Sequence, residues 1–130
     1  MFLDTSAIVE CFITGPAYER IAAALSVPER PFYTSPTVMF EAACVLASRR
    51  RISVQEAVTL LDGFLFELQA EVLPATRETG LAAIDAFARY GKGRHPAKLN
   101  FGDCFSYAGA KQAGVPLLYV GNDFAQTDLA

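Results

Sequence analysis

Short apolar runs alternate with longer helical patterns along this chain, and this alternation limits the possible folds more than any other feature of the sequence. The runs are MFL at 1–3, FYTS at 32–35, EVL at 71–73 and PLLYV at 116–120. PLLYV is apolar throughout, which is typical of a strand in a sheet covered on both faces. Strands that alternate with helices predict an α/β fold with a mostly parallel sheet. No hairpin signal between alternating runs argues against it.

Helix start and stop signals lie between these runs. The segment KGRHPAKLNFG has no helical period and is predicted to be a loop, and Pro28 and Pro31 bound a predicted turn. The first two predicted helices are about 5–13, ended by Gly15 and Pro16, and 17–26. The next two begin at Thr37 and at the capping box of Ser53 and Glu56. The last two are one capped by Thr76 or Thr79 that runs through Arg89 to Gly91, and one opened by Asp103 and ended by Gly114.

The composition predicts a single domain over residues 1–130. A chain of 130 residues has the common size of one domain, and 52% hydrophobic residues supply a sizeable core and argue against disorder. No stretch approaches the roughly 20 apolar residues that span a bilayer, and the start lacks the basic segment of a signal peptide. We therefore expect a cytoplasmic protein.

The chain has three cysteines, Cys11, Cys44 and Cys104, in no CxxC spacing. An odd number of isolated cysteines in apolar helical patterns favours reduced core residues over zinc ligands or a disulfide framework.

The net charge of −3 gives no overall basic footprint, which by itself counts against nucleic-acid binding. The distribution of positive charge is different, because most of it lies in two short clusters. These clusters are Arg49 to Arg51, and Arg89, Lys92, Arg94, His95 and Lys98.

Acidic residues follow the predicted strands at places that belong to one edge of the sheet. Asp4 ends the first strand, and Asp123 follows PLLYV after two residues. Asp103 stands at a helix start that faces the same edge, and Glu41 lies one turn into the helix after FYTS. Ligands of open parallel sheets bind outside the carboxyl ends of the strands, so we expect the four carboxylates to converge there.

Four carboxylates at one place need raised pKa values or bound cations, because unpaired like charges are unfavourable. Magnesium or manganese fits such a site, since these hard ions take carboxylate oxygens. Such ions activate water and stabilise the leaving oxygen of a phosphodiester. The predicted chemistry is metal-assisted hydrolysis of nucleic acid.

Each acid taken singly also has a structural interpretation. Asp4 and Asp103 occupy N-cap or first-turn positions, where aspartate is common for capping and dipole reasons. Asp123 is compatible with an ordinary turn and Glu41 with a solvated helix face.

The chain resembles the PIN-domain ribonucleases, and in particular the VapC-type toxins of toxin–antitoxin pairs. The motifs that carry the resemblance are FLDTSAIV, SPTVMFEAACVLA, LNFGDCFSYAGAK and PLLYVGNDFAQTDL, in order along essentially the whole chain. The resemblance implies a three-layer α/β/α PIN-like domain with a mostly parallel central sheet. It also implies a magnesium-dependent endoribonuclease, for which manganese is an alternative cofactor.

The resemblance further implies roles for particular residues. Asp4, Glu41, Asp103 and Asp123 match the catalytic acids, and Asp4 and Asp103 match the direct metal ligands. Thr5 or Ser6 matches a supporting hydroxyl, Asn122 stands where many relatives have a second acid, and Asp128 is a rival for the fourth acid.

The partners implied by the resemblance are an RNA substrate, a small antitoxin and a second copy of the chain in a homodimer. The helix VTLLDGFLFEL, apolar almost all the way round, fits either a dimer contact or a core helix. Cations beside an acidic centre offset the charge of RNA. Of the two basic clusters, the one in the loop before Asp103 is better placed to contact RNA, because a mobile segment there is able to close over a strand. We interpret Arg49 to Arg51 as the solvated end of a helix. We expect His95 to be exposed and to be either a phosphate contact or a bystander. The predicted RNA-binding residues are Arg89, Lys92, Arg94 and Lys98.

Three other classes of protein also place acids at a sheet edge. Phosphatases that resemble haloacid dehalogenases need a second aspartate at position 6, which is Ser6, and a receiver domain needs an acidic pair after the first strand. The alternative that stays open is a non-catalytic α/β module that binds RNA or protein, in which the acids serve the structure.

Overall fold

The computed structural model describes residues 1–27 and 31–130, so the turn predicted between Pro28 and Pro31 falls mainly on residues outside this description. Its strands are β1 (Phe2–Leu3), β2 (Tyr33–Thr34), β3 (Glu71–Val72) and β4 (Leu117–Leu118). Its helices are α1 (Thr5–Ile13), α2 (Tyr18–Leu25), α3 (Pro36–Arg50), α4 (Val54–Glu67), α5 (Arg77–Tyr90) and α6 (Phe101–Ala113), followed by a 3-10 turn at Phe124–Gln126.

The four strands form one parallel sheet in the order β3-β2-β1-β4, which confirms the predicted fold class. Phe2 pairs with Tyr33 on one side and with Leu117 on the other, so β1 is a central strand. The chain reaches β2 and β3 on one side of β1 and returns to β4 on the other side. The order therefore reverses between β1 and β4, which is where open α/β sheets bind ligands.

The helices surround the sheet as two groups. Helices α1, α3 and α4 pack on one another, and α5 packs on α6, in a three-layer α/β/α arrangement. Phe2 and Leu3 are buried at the centre. Helix α6 crosses β1 at Gly109, where a Cβ atom would overlap the Phe2 ring. This glycine brings the helix backbone close to the strand that carries Asp4. In the part of the chain that the structure describes, no helix has the length and apolarity needed to cross a membrane.

Two helices begin earlier than predicted, for reasons of capping. Helix α3 starts at Pro36 rather than Thr37, because the Ser35 hydroxyl caps it by accepting from the Val38 N–H at 3.3 Å. Helix α6 starts at Phe101 and is capped by Asn100, so Asp103 is its third residue and does not open it. Both residues before these helices have extended backbones, as N-caps do.

Helix α4 has a buried face, as a core helix does, and also an exposed apolar face, as a dimer contact needs. Ala57, Leu61 and Leu65 are buried, whereas Val54 and Phe66 are exposed. One side of the helix therefore belongs to the core, and apolar side chains remain on the other.

The cysteines are only partly core residues. Cys104 is buried and Cys11 half-buried, but Cys44 on α3 is exposed, so the prediction is wrong for Cys44. Burial raises the pKa of the Cys104 thiol to about 11.

Candidate active site

A cavity of about 290 Å³ opens at the carboxyl ends of β1 and β4, and we call it the acidic cleft. Asp4, Glu41 and Asp103 line it, so three of the four predicted acids meet in one place. A larger cavity, of about 460 Å³ between α5 and α6, is apolar and contains none of the predicted acids. The remaining lining residues of the acidic cleft are Thr5, Ser6, Val9, Glu10, Ile13, Val45, Arg49, Asn100 and Val120.

Asp4 is buried, with 5% of its surface exposed, and both of its carboxylate oxygens accept hydrogen bonds. Oδ2 accepts from the Ser6 N–H at 3.0 Å and from the Ser6 hydroxyl at 2.5 Å, and Oδ1 accepts from the Ser106 hydroxyl at 2.6 Å. The first contact is an N-cap of α1, so the capping interpretation of Asp4 is correct. The bond to Ser106 joins residues 102 positions apart and holds Asp4 in one orientation in the cleft.

The two hydroxyl residues after Asp4 differ in their contacts. The Ser6 hydroxyl also accepts from the Val120 N–H at 2.9 Å, which ties α1 to the segment after β4. The Thr5 Oγ1 atom is buried and has no hydrogen-bond partner among the described residues. Ser6 is therefore the residue that positions Asp4, and Thr5 brings an unused polar atom to the cleft.

Asp103 and Asn100 form a reciprocal capping box at the start of α6. The Asp103 N–H donates to Asn100 Oδ1 and the Asn100 N–H donates to Asp103 Oδ2, both at 3.0 Å. Burial is the largest cause that raises the pKa of Asp103, and the charges of Asp4, Asp123 and Glu41 add to it. Against the opposing effect of the Asn100 N–H, together they raise this pKa from 3.8 to about 6. Asp103 is thus electrostatically coupled to the other three predicted acids.

Glu41 reaches the cleft from α3 and lies against the first turn of α6. A Cβ atom at Gly102 would stand 2.8 Å from Glu41 Oε2, so only glycine leaves room for the carboxylate at its present position. The close approach of these two helices brings Glu41 beside Asp103.

The two rivals for the fourth acid are separated by the structure. Asp123 is exposed, precedes the 3-10 turn and acts on the pKa of Asp103 through its charge. Asp128 instead accepts from the Tyr107 hydroxyl at 2.6 Å and from Lys111 Nζ at 2.7 Å. Asn122, the residue before Asp123, is exposed as well. Asp128 holds the C-terminal segment on α6, and Asp123 is the acid near the cleft.

The sequence interpretation missed the contributions of four polar residues, three that line the cleft and Ser106, which bonds Asp4. Ser106 stands three residues after Asp103 on the same helical face, and Asn100 three residues before it, so helical spacing was an available signal for both. Glu10 is buried, and its Oε1 accepts a hydrogen bond from the N–H of Ala17, the N-cap residue of α2, at 2.6 Å. Arg49, interpreted as a solvated helix end, lines the cleft.

The basic loop before α6 is attached to the body of the protein at several points, and its mobility stays a prediction. The Lys92 N–H donates to the Leu99 carbonyl at 3.0 Å, and Ala97 and Leu99 are fully buried. His95 is half-buried rather than exposed, and its Nδ1 accepts from the Ala97 N–H at 3.0 Å.

The four cations predicted to bind RNA lie outside the lining of the acidic cleft. Arg89 donates to the hydroxyls of Tyr107 and Tyr90, and the Arg94 guanidinium lies 5.6 Å from the centre of the Phe87 ring. Lys92 and Lys98 are exposed. Their contact with RNA stays a prediction.

The donor set of the cleft fits a hard cation. Carboxylates are the ligands that Mg²⁺ and Mn²⁺ prefer, and a cation would relieve the repulsion that raises the pKa of Asp103. Within residues 1–27 and 31–130, no three acidic, histidine or cysteine side chains stand close enough together to hold one ion as they are. The acids therefore form a loose cluster, and their side chains must move closer to enclose an ion.

Comparisons with known proteins show the family of the chain. The family model described as PIN domain matches residues 1–129. A VapC ribonuclease of Rhizobium meliloti (strain 1021) is 42% identical, and the match covers 98% of each chain. Ribonuclease VapC36 of Mycobacterium tuberculosis (strain ATCC 25618 / H37Rv) is 44% identical over 99% of this chain and 91% of that protein.

Solved structures share the fold at lower sequence identity. Mycobacterium tuberculosis VapC20, a toxin that cleaves the sarcin-ricin loop, matches with a TM-score of 0.75 at 18% identity, over 95% of this chain and 92% of that one. A toxin–antitoxin complex from Klebsiella pneumoniae matches with a TM-score of 0.72 at 16% identity, over 98% and 92% of the two chains. The chain therefore belongs to the PIN-domain family, and within it to the VapC-type ribonucleases.

Proposed function

We propose that the protein is a metal-dependent endoribonuclease that hydrolyses RNA phosphodiester bonds in the acidic cleft. The observation that carries the proposal is the meeting in one cleft of a buried Asp4 that accepts three hydrogen bonds and Asp103, whose pKa is raised to about 6 by burial and by the charges of three other acids. Groups with strongly shifted pKa values in a cleft are typical of active sites. The VapC names of the relatives support the same activity.

Asp4 and Asp103 are the residues we propose as direct ligands of Mg²⁺, with Mn²⁺ as an alternative. When bound, the ion supplies a Lewis acid that activates water and stabilises the leaving oxygen. Ser6 and Ser106 orient the Asp4 carboxylate, and the capping box with Asn100 orients Asp103. Glu41 and Asp123 add negative charge at the edge of the site and complete the catalytic set.

The proposed partners are a small antitoxin and a second copy of the chain. Exposed apolar side chains on α3, α4 and α6, among them Phe40, Phe66 and Phe101, offer surface for such contacts. The match to a toxin–antitoxin complex supports an antitoxin partner. Light scattering of the purified chain tests the dimer, and growth arrest on induction, relieved by a neighbouring small open reading frame, tests the toxin role. A cytoplasmic location stays a prediction.

Cleavage of RNA tests the proposed activity. Protein purified free of antitoxin is incubated with total RNA in Mg²⁺, in Mn²⁺ and in EDTA, and the products are mapped by their ends. We expect discrete cuts in the two metals and none in EDTA. Intact RNA under all conditions, with a folded protein, would favour the non-catalytic binding module instead.

A further inference from the structure

Helix α3 carries one cation into the acidic cleft. Glu41, Val45 and Arg49 are spaced four residues apart and all line the cleft, so they share one face of the helix. Among the lining residues, Arg49 is the basic one and the other charged residues are acids. The cleft therefore has an acidic end at Glu41 and a cationic end at Arg49.

The Arg49 side chain is exposed and is engaged by no ion pair or hydrogen bond in the described part of the chain. Its neighbours differ. Arg50 donates to the Phe12 carbonyl at 3.2 Å, and Arg51 ends the helix in a left-handed conformation with a φ of 53°. Cations at a helix C-terminus complement its dipole, but that role is common to the whole cluster and does not explain why one of them faces the cleft.

Arg49 and Glu41 enter the cleft from positions about two helical turns apart on α3. Eight helical residues separate the two positions, which is about 12 Å along the helix axis at 1.5 Å per residue. A guanidinium offers a planar fork of donors that matches a phosphate and keeps its charge at any working pH. A phosphate next to the scissile one along the strand is the group that this position can bind.

We propose that Arg49 binds a phosphate of the RNA strand that flanks the bond to be cut. This inference rests on the proposed ribonuclease function of the cleft. The carboxylates repel the RNA backbone, and a free cation at the other end of the same cleft offsets that repulsion. Arg49 thereby holds the strand in register, so that a chosen phosphate lies at Asp4 and Asp103.

Binding of a short single-stranded RNA tests the role of Arg49 separately from catalysis. Fluorescence anisotropy in Mg²⁺ is measured on the non-cleaving Asp4→Asn protein, alone and with Arg49→Gln or Arg51→Gln added, over a series of salt concentrations. Arg51→Gln is the matched control, because it removes the same charge from the same cluster outside the lining of the cleft. Thermal melts verify that all variants are folded.

We expect Arg49→Gln to weaken binding about ten-fold, as for loss of a charge-assisted hydrogen bond. The salt dependence should also fall by about 0.7 in log–log slope, the value for one phosphate of a single strand. Arg51→Gln should change affinity less than two-fold. In the cleaving protein, Arg49→Gln should raise KM and leave kcat within about three-fold.

Two results would overturn the inference. One is unchanged affinity and salt slope in Arg49→Gln, and the other is an equal loss in Arg51→Gln, which would reduce the effect to the general charge of the cluster. If the parent protein neither binds nor cleaves RNA, the proposed function fails together with the inference. RNA cleavage that is normal in the parent and in Arg49→Gln removes the role of Arg49 alone.

Discussion

Two aspartates at α6 have opposite electrostatic environments. One is in the first turn of the helix, and the other belongs to the C-terminal segment that packs on its later turns. Asp103, in the first turn, is surrounded by other acids, and its pKa is raised to about 6 by burial and by their charges. Asp128 lies beside Tyr107 and Lys111 in the later turns, and hydrogen bonds from Lys111 and Tyr107 lower its pKa. Among the described residues, Asp103 on α6 has no cationic partner, whereas Asp128, in the C-terminal segment that packs on α6, has several donors.

The difference is our reason for proposing Asp103 as a functional acid and Asp128 as a structural one. Lys111 and Arg89 lie 2.7 and 3.9 Å from Asp128 Oδ2, so its charge is satisfied within the protein. Among the described residues, the Asn100 N–H is the one group shown to support the charge of Asp103, and burial and the neighbouring carboxylates oppose that charge. An acid cluster that the protein leaves unneutralised is suited to a cation from solution.

Loss of a proposed metal ligand should have the largest effect. We expect Asp103→Asn and Asp4→Asn to slow RNA cleavage by about 1,000-fold, because an ion contributes several kcal/mol to the transition state. Asp128→Asn, the matched change at the acid that Tyr107 and Lys111 of α6 hold, should leave the rate within about three-fold. Initial rates on one RNA at saturating Mg²⁺ measure this. Equal losses in Asp103→Asn and Asp128→Asn would contradict the separation of the two acids.

Loss of a residue that orients Asp4 should have an intermediate effect. Ser106→Ala removes the hydrogen bond to Asp4 Oδ1, and we expect metal affinity or activity to fall about 10- to 100-fold. Ser26→Ala is the control, because among the described residues the Ser26 hydroxyl donates only to the Ala22 carbonyl at the end of α2. Cleavage rates over a range of Mn²⁺ concentrations measure the change, and identical metal dependence in both variants would show that Ser106 does not position Asp4.

The raised pKa of Asp103 predicts a change in stability with an unusual sign. In the folded protein the carboxyl binds its proton more tightly than in the unfolded chain, whose ordinary pKa is 3.8. Its charge therefore destabilises the fold above about pH 6, and this cost disappears as the pH falls below the ordinary value. Without divalent metal, Asp103→Asn should raise the free energy of unfolding at pH 8 by about 1 to 2 kcal/mol, less than the full pKa shift implies, because solvent screens a partly exposed side chain.

Urea unfolding at several pH values in EDTA measures this effect. The stability gained by Asp103→Asn should shrink steadily from pH 7 to pH 4, because the wild-type carboxyl becomes neutral. A variant less stable than wild type at pH 8, or a difference that does not depend on pH, would show that Asp103 is not under electrostatic strain.

The lowered pKa of Asp128 predicts the opposite sign and a smaller size. Its charge stabilises the fold above the ordinary pKa of 3.8, and that stability is lost as the pH falls through the lower folded value. The side chain is 44% exposed, so solvent screens its ion pairs. We expect Asp128→Asn to cost about 0.5 to 1 kcal/mol at pH 7. The same urea series measures it, and a gain in stability at pH 7 would reverse the comparison.

Local patterns predicted the parts of the fold that depend on neighbouring residues. Alternating apolar runs and helices were enough for the parallel α/β sheet, and the position of Asp4 after the first strand was enough to place it at the sheet edge. The cap of α6 was assigned to the wrong residue, because Asn100 and Asp103 bond each other and either can look like the first cap.

Contacts between distant residues could not be predicted in this way. The hydrogen bond from Ser106 to Asp4 depends on how α6 lies across β1, which Gly109 permits through its contact with Phe2. The rotation of α3 about its axis likewise decides that Arg49 faces the cleft. Such features depend on helix packing, which one sequence does not encode as a short motif.

Binding of Mn²⁺ measured by isothermal titration calorimetry addresses the acidic cleft most directly. The wild type and Asp128→Asn should bind the ion with similar affinity and heat, and Asp4→Asn and Asp103→Asn should lose the binding. No heat of binding in the wild type, or unchanged binding in Asp103→Asn, would contradict a metal site formed by Asp4 and Asp103.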